Sequence, residues 1–265
     1  MSKRLAYVLP VLLTFSALLA QADEWHRTYT ISGRPEINVD ANDGDIRVNA
    51  SDRKDVDALV VVNGRKIGQG GVTITDHQDG NRLVLTVRVP RHWGVSISGR
   101  QRSLRVELQV PRETNLELHS GDGNVRVLDV KGLLQLETGD GDIEARGTDG
   151  SMRAHTGDGN ISIEGVYTAL DLHTGDGNIE ADARQGSKMD ERWSLRTGDG
   201  NIQLRVPATF SAQLDAQTGD GRVDVEFPVT VLGSTKESTI RGQMNSGGQT
   251  LELRSGDGNI SLLKT

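Results

Sequence analysis

Apolar and polar residues alternate along most of the chain. In one representative stretch, Ile161 and Ile163 flank Ser162, and residues 170–173 repeat the pattern. Alternation with a period of two predicts β-strands that bury one face and expose the other. The pattern therefore indicates an all-β protein.

A six-residue word of the form Thr/Ser-Gly-Asp-Gly-Asn-Ile/Val separates many of these alternating runs. Seven copies begin at Ser120, Thr138, Thr156, Thr174, Thr197, Thr218 and Ser255, and a weaker copy begins at Asn42. The first four strong copies are 18 residues apart, which leaves room for two short strands and two turns in each period. One such period cannot bury its apolar face alone, whereas stacked periods can. The repeat therefore predicts a β-solenoid built from 18-residue rungs.

A series of antiparallel hairpins that closes a sandwich or barrel would also contain short alternating strands. That arrangement does not require the same word at one end of every second strand. Identical corners at a constant interval suit stacked rungs better. We therefore expect a solenoid in which equivalent residues form rows, about 4.8 Å apart from rung to rung.

The repeated word predicts a tight corner between the two strands of a rung. Its glycines are expected to adopt positive φ angles, which cost glycine little. The leading Thr or Ser shares the parity of the inward residues, so its hydroxyl is expected to bond to backbone groups left free at the corner. A further row is expected to form an amide ladder. Its members are Asn124, Asn160, Asn178, Asn201 and Asn259, interrupted by Asp142 and Arg222.

The chain divides into a leader, a short N-terminal segment and one solenoid domain, over residues 1–22, 23–34 and 35–265. Within the domain, residues 35–118 predict an irregular β-rich region that caps the first rung, and residues 119–265 carry the repeats. The interruption at 228–250 predicts a hairpin that caps the other end. Solenoids need such atypical ends because their core and edge strands are otherwise open.

Two stretches of the sequence are similar to a known family. They are VPRETNLELHSGDG from Val110 to Gly123, which precedes the rungs with Thr-Gly-Asp-Gly, and the closing pattern from Ile240 to Ile260. The chain resembles the bacterial putative-adhesin family over residues 36–263. The resemblance implies a toast-rack of stacked β rungs in a domain of unknown function, with no catalytic residues to transfer. It also implies an exported or membrane-tethered protein, because members are typically so placed and some accompany envelope-stress systems.

The first 22 residues have the three parts of a secretory signal peptide. Lys3 and Arg4 supply the positive start, an apolar stretch follows, and Ala20-Gln21-Ala22 offers a cleavage site before Asp23. An uncleaved anchor is the alternative, but the stretch is short and Pro10 interrupts it. The sequence therefore predicts export to the periplasm, the cell surface or the medium, with no transmembrane span after cleavage.

Composition narrows the function classes. The chain has no Cys, which excludes disulfides, thiolate metal ligands and a thiol nucleophile. Without Lys3 and Arg4 it carries 28 basic and 37 acidic residues, a net charge of −9 that disfavours nucleic-acid binding. Aromatic residues make up 3% of the chain, as expected for a narrow coil.

Seven aspartates at the centre of the repeated word are candidate Ca²⁺ ligands. They are Asp122, Asp140, Asp158, Asp176, Asp199, Asp220 and Asp257. Carboxylates one strand apart repel each other, and a hard cation would relieve the repulsion. The alternative is that each Asp accepts a backbone N–H in its turn and faces water. Few carboxylates would converge at any one point, so we expect at most weak Ca²⁺ binding and no other cofactor.

Three histidines, His119, His155 and His173, occupy the position before the word. The last two lie on adjacent predicted rungs and could reach a shared Zn²⁺, although no third ligand is evident. Plain surface residues are the alternative, and their outward parity favours it.

A basic segment contrasts with the acidic remainder of the chain. Its candidate contacts with anionic material are Arg91, Arg100, Arg102 and Arg105. Lipid head groups, lipopolysaccharide or acidic glycans would suit them. The alternative is a solvated strand edge, where charge prevents edge-to-edge pairing.

No motif in the sequence assembles an active site. The aspartates repeat uniformly, whereas acid and base roles require carboxylates in different surroundings. We therefore expect a non-enzymatic envelope protein that binds, adheres or acts as a scaffold, with an envelope component or a protein as partner. A polysaccharide lyase or hydrolase on a β-helix is the alternative, and a cleft beside 183–192 or 228–250 would favour it. A weak Ca²⁺-binding repeat protein is the second alternative.

Overall fold

A computed structural model describes residues 22–90, 103–231 and 236–265. Residues 1–21 of the predicted signal peptide lie outside these ranges. The described residues form strands without helices, as the alternation predicted. In chain order the strands are β1 Asp23–Thr30, β2 Glu36–Ala41, β3 Asp45–Ser51, β4 Asp55–Asn63, β5 Thr73–Asp79, β6 Arg82–Arg88, β7 Ser103–Pro111, β8 Asn115–Ser120, β9 Val125–Leu128, β10 Lys131–Thr138, β11 Ile143–Thr156, β12 Ile161–Thr174, β13 Ile179–Ala183, β14 Trp193–Thr197, β15 Ile202–Val206, β16 Ala212–Thr218, β17 Val223–Val225, β18 Val229–Val231, β19 Thr239–Met244, β20 Thr250–Ser255 and β21 Ile260–Lys264.

The strands form two long faces that meet at the corners. Face A, which leads into the corners, has the order β5-β6-β2-β8-β10-β11-β12-β14-β20-β16-β19-β18. Face B, which follows them, has the order β1-β4-β7-β3-β9-β11-β12-β13-β15-β21-β17. Strands β11 and β12 belong to both faces, because each turns from face B of one rung to face A of the next. The pairing between rungs is parallel, which confirms the solenoid and rejects the hairpin series.

The core is a thin layer between the two faces. Inward residues of successive rungs stand in register, so that one row consists of Leu118, Leu136, Ala154, Leu172, Leu195 and Leu253. All six are buried. The core of this domain therefore consists of aliphatic side chains stacked in rows from rung to rung.

The order of rungs in the stack differs from their order in the chain at both ends. The C-terminal rung, β20 with β21, lies between β14–β15 and β16–β17. The N-terminal rung, β2 with β3, lies between β8–β9 and β6–β7. The last repeat of the chain therefore does not end the stack. Repeats of similar sequence can neighbour each other without being consecutive.

Each end of the stack is covered, as the atypical flanks predicted. At the first end the antiparallel strands β1 and β5 approach each other, and Asp76 accepts hydrogen bonds from Arg27 and Tyr29 at 2.6 and 2.9 Å. At the other end the antiparallel hairpin β18–β19 pairs with β16. The buried rings of Trp193 and Phe210 lie 4.9 Å apart, so the coil does hold large aromatic side chains.

Candidate functional site

The corner hydroxyls tie each rung to its neighbour. Thr174 donates to the carbonyl oxygen of Gly159 in the adjacent corner at 2.7 Å and accepts from the Gly177 N–H of its own corner at 3.2 Å. The seven leading Thr and Ser side chains are buried at the same position. The prediction that these hydroxyls satisfy corner backbone groups is confirmed.

The expectation that the corner glycines adopt positive φ is wrong for the seven strong copies. Of the copies described, the weaker one at residues 42–44 has a positive φ, at Gly44. The requirement for glycine comes instead from close packing of the rungs. A Cβ atom at Gly159 would lie 2.0 Å from the carbonyl oxygen of Gly141 in the adjacent corner.

The expected amide ladder runs along the corners. Asn178 donates its backbone and side-chain N–H groups to the Oδ1 atom of Asn160, at 3.0 and 3.2 Å. Asp142 occupies one step and accepts from Asn160 in the same way. A carboxylate cannot donate, however, so Asp142 is joined to Asn124 through its backbone N–H alone, at 2.9 Å. The ladder therefore lacks a side-chain hydrogen bond between Asp142 and Asn124.

The seven corner aspartates form one exposed row, as the stacking predicted. Within the described part of the chain, their carboxylates have no hydrogen-bond or ion-pair partner. The expected backbone N–H partner is therefore not found. No group of three or more potential metal ligands converges among the described residues. Ca²⁺ binding by this row stays a prediction.

The predicted histidine positions form part of another outward row on face A. The row contains Asp40, His119, Glu137, His155 and His173 in register. The rings of His155 and His173 stack in parallel with their centroids 4.9 Å apart. Partial burial lowers the pKa of His173, and the neighbouring His155 and Arg196 lower it further. Among the described residues, no third His, Asp or Glu joins these two rings in a group that could hold a metal ion.

Two matching Arg–Asp clamps occupy face A near the ends of the stack. The guanidinium of Arg88 donates to the backbone carbonyl and both carboxylate oxygens of Asp40. Arg254 donates to the backbone carbonyl and both carboxylate oxygens of Asp215, at nitrogen–oxygen distances of 2.5 to 3.1 Å. These hydrogen bonds lower the pKa of both aspartates. Each clamp joins an outermost full rung to the rung beside it.

The basic segment is described at one position. Arg105 lies on β7 with its Nε atom 2.5 Å from a carboxylate oxygen of Glu107. Arg91, Arg100 and Arg102 lie outside the described residues. Contact between this segment and anionic material stays a prediction.

The five-residue insertion at 183–192 borders a shallow groove on face A. The groove has a volume of about 390 Å³, and its rim includes Glu191 and Arg192 from the insertion and Asp171 from β12. Asp171 and Glu191 are both exposed, and Asp171 pairs with Arg153 at 3.2 Å. A groove beside the insertion was the feature expected of an enzyme. Both carboxylates face solvent, so neither has the buried surroundings that set an acid role apart from a base role.

Sequence reasoning missed the floor of this groove. Ser151 and Ala169 occupy equivalent outward positions on adjacent rungs. Beside them, at the neighbouring outward position, Leu133 is 57% exposed. Two small outward residues followed by a longer period were a readable signal, because they place a depression next to an extra loop.

A search of the described residues for a helix that could span a membrane finds none.

Comparison with known proteins places this architecture. The chain is similar to a putative adhesin from Bacteroides fragilis at 13% identity, with 91% of this chain and 97% of that chain covered and a TM-score of 0.52. It also matches a putative cell adhesion protein from Clostridium sporogenes at 12% identity, with 92% and 100% coverage and a TM-score of 0.46. A third match is a putative lipid binding protein from Parabacteroides distasonis at 15% identity, with 92% and 97% coverage and a TM-score of 0.42. No curated protein matches the sequence.

At these identities the solved structures inform the fold alone, and the match at a TM-score of 0.52 supports it. The family model for Toastrack DUF4097 matches residues 35–263. These bounds agree with the resemblance to the toast-rack family over residues 36–263. The chain belongs to the Toastrack DUF4097 family.

Proposed function

We propose that this protein is an exported, non-enzymatic binding or scaffolding module of the cell envelope. The observation that carries the proposal is the regular exterior of the stack. Several outward charges on neighbouring rungs are paired, as where Arg126 of β9 contacts Glu144 of β11 at 2.5 Å. Such pairing leaves two long, continuous faces, which suit contact with an extended partner.

The start of the folded domain supports export with cleavage after Ala22. Strand β1 begins at Asp23, the residue that follows the predicted cleavage site. The Asp23 carboxylate accepts the backbone N–H of Ile67 at 2.6 Å, so the mature chain would be anchored from its first residue.

Cell fractionation tests the proposed export and the cleavage of the leader. The chain is produced with its own leader, and the mass of the recovered protein is measured in each fraction. A mature chain that starts at Asp23 in the periplasmic, surface or medium fraction is the expected result. An intact leader on cytoplasmic protein would contradict export.

Sedimentation with purified envelope material tests the binding role. The mature protein is expected to pellet with envelope fragments and to remain in solution without them. Release of soluble products from the envelope polysaccharide would contradict the non-enzymatic role. Failure to pellet would contradict the binding role.

The basic segment is the proposed contact for anionic envelope material. Replacing Arg100, Arg102 and Arg105 with Glu is expected to abolish binding to vesicles of anionic lipid or to acidic glycans. The matched control replaces Arg146 and Arg205 of face B with Glu. Unchanged binding in the triple variant would reject this contact, and separate vesicle and glycan arms identify the source of the anion.

A further inference from the structure

A groove on face A runs across the strands, along the axis of the stack. It consists of two open depressions of about 350 and 390 Å³ that share Leu133 and Gln135. The first depression extends over β8 and β2 to Arg82 of β6, and the second extends over β11 and β12 to Ser194 of β14. Six strand steps separate β6 from β14, so the groove is about 29 Å long at about 4.8 Å per step. A long and shallow shape suits a linear polymer better than a compact molecule.

The second depression exists because two rungs carry small outward side chains. Ser151 and Ala169 form its floor, while Leu133 projects at one side with 57% of its surface exposed. The other side is formed by Glu191 and Arg192 of the insertion. Insertions in repeat proteins often lie on the binding face, and this one forms a wall of the second depression.

The polar groups of the second depression have balanced charge. Two guanidinium groups, from Arg153 and Arg192, face two carboxylates, from Asp171 and Glu191. Arg153 already pairs with Asp171, and Arg192 lies 3.7 Å from Glu252. A charged polymer would therefore gain little from this lining, whereas an uncharged one loses nothing to repulsion.

Two polar side chains of the second depression are free to bond to a ligand. Within the described residues, the amide of Gln135 and the carboxylate of Glu191 have no hydrogen-bond or ion-pair partner. Gln135 lies where the two depressions meet, and Glu191 lies on the insertion wall. Together they offer an amide donor and two kinds of oxygen acceptor around an aliphatic patch of Leu133 and Ala169.

We propose that this groove binds an uncharged linear glycan, with a sugar ring over Ala169 and Leu133 and its hydroxyls bonded to Gln135, Glu191 and the Arg153–Asp171 pair. A sugar ring has an apolar C–H face and a rim of hydroxyls that both donate and accept, which matches this lining. The inference rests on the proposed binding role and names the ligand class of face A. It is separate from the basic segment, whose expected ligands are anionic.

Calorimetric titration of the mature chain tests this inference. The probes are cellohexaose, xylohexaose and chitohexaose, with the corresponding trisaccharides and polygalacturonate for comparison. At least one neutral hexasaccharide is expected to bind, and more tightly than its trisaccharide because the longer chain reaches both depressions. Binding of polygalacturonate alone, or of no neutral hexasaccharide, would overturn the inference.

Variants locate the site. Ala169→Trp fills the depression and is expected to weaken binding at least about tenfold, whereas Ser162→Trp, on face B of the same strand, is the matched control. Leu133→Ala should also weaken binding, and its exposed position keeps the fold intact if Ala169→Trp disturbs it. Unchanged affinity in both groove variants would overturn the inference.

Glycan binding and envelope binding are measured separately, so the groove assignment and the proposed function can fail independently. Envelope fragments that still pellet with Ala169→Trp, while no neutral glycan binds the unmodified chain, would remove only the groove assignment. If the unmodified chain does not pellet with envelope fragments, the proposed function itself is rejected.

Discussion

The hydroxyl of Thr156 donates a hydrogen bond of 2.8 Å to the carbonyl oxygen of Gly141, a residue of the adjacent corner. The same hydroxyl accepts the N–H of Gly159 in its own corner at 3.3 Å. One buried oxygen thus satisfies two backbone groups that no strand pairing reaches. Because every strong copy of the word begins with Thr or Ser, this contact recurs along the stack.

Replacing Thr156 with Val should destabilise the protein without changing the shape of the corner. The two side chains have similar volume, but Val leaves a buried N–H and a buried carbonyl without partners. Such a loss costs about 1–3 kcal/mol in the free energy of unfolding. Urea unfolding followed by circular dichroism measures it. Thr86→Val on the outward face of β6 is the control and should be close to neutral, and equal effects of both variants would contradict this role.

Replacing Asp142 with Asn should stabilise the protein. The Asp142 carboxylate cannot donate to Asn124 in the previous rung. An amide at position 142 can donate to the Asn124 Oδ1 atom, as the Asn178 side chain does to the Asn160 Oδ1 atom. The expected gain is about 0.5–1.5 kcal/mol, the net contribution of one hydrogen bond. Asn178→Asp is the reverse change and should lose a similar amount. Thermal unfolding of both variants checks the ladder, and a lower Tm for Asp142→Asn would refute it.

The Arg254–Asp215 clamp predicts a loss of stability at low pH. Hydrogen bonds from Arg254, and then from Arg241, hold the pKa of Asp215 below its ordinary value in the folded chain. The contribution is therefore full above the unfolded pKa of about 3.9. It disappears as the pH falls from there through the lower folded pKa.

Comparison of variants isolates that contribution. Asp215→Asn should cost on the order of 1 kcal/mol at pH 7, because the pair is about one-third exposed and partly screened, and should flatten the stability profile below pH 4. Asp224→Asn, at an exposed position on β17, is the control. A profile for Asp215→Asn that falls as steeply as that of the unmodified chain would argue against the clamp.

The corner aspartates predict a weak response to Ca²⁺. Seven exposed carboxylates stand one rung apart, and bound Ca²⁺ would reduce their mutual repulsion. Millimolar Ca²⁺ is expected to release or absorb heat in calorimetry and to raise Tm. NaCl at equal ionic strength separates binding from general screening. Asp158→Asn with Asp176→Asn should reduce the response, and absence of both heat and a Tm shift would end the calcium hypothesis.

The local parts of this fold are readable from sequence because they depend on neighbours within one rung. The parity of Thr156 relative to Leu172 and its equivalents places the hydroxyl inside, and the structure agrees. The predicted positive φ of the corner glycines is wrong, because glycine is required at position 159 by the close backbone of the adjacent rung. A single word cannot reveal how close that backbone lies.

The order of rungs and the groove are not readable in the same way. Leu195, Leu214 and Leu253 all have the inward parity of a rung strand, so the sequence does not say which pair is adjacent. The depression at Ser151 and Ala169 appears only once adjacent rungs and the insertion are placed together. Long-range register, rather than local propensity, determines both features.

Disulfide trapping tests the central claim, a parallel stack in which the C-terminal rung lies inside. Ser261 pairs in register with Gln203 on one side and Asp224 on the other. The chain has no Cys, so paired cysteine substitutions report without background. Partners on adjacent rungs are about 4.8 Å apart and can form a disulfide, whereas partners two rungs apart, at about 9.6 Å, cannot.

Three double variants are oxidised and analysed by mass spectrometry after proteolysis. Gln203→Cys with Ser261→Cys, and Asp224→Cys with Ser261→Cys, should each form the intramolecular disulfide in high yield. Gln203→Cys with Asp224→Cys should remain reduced. Efficient bonding in that third variant, with failure of the first, would show that the rungs stack in chain order and would contradict this account.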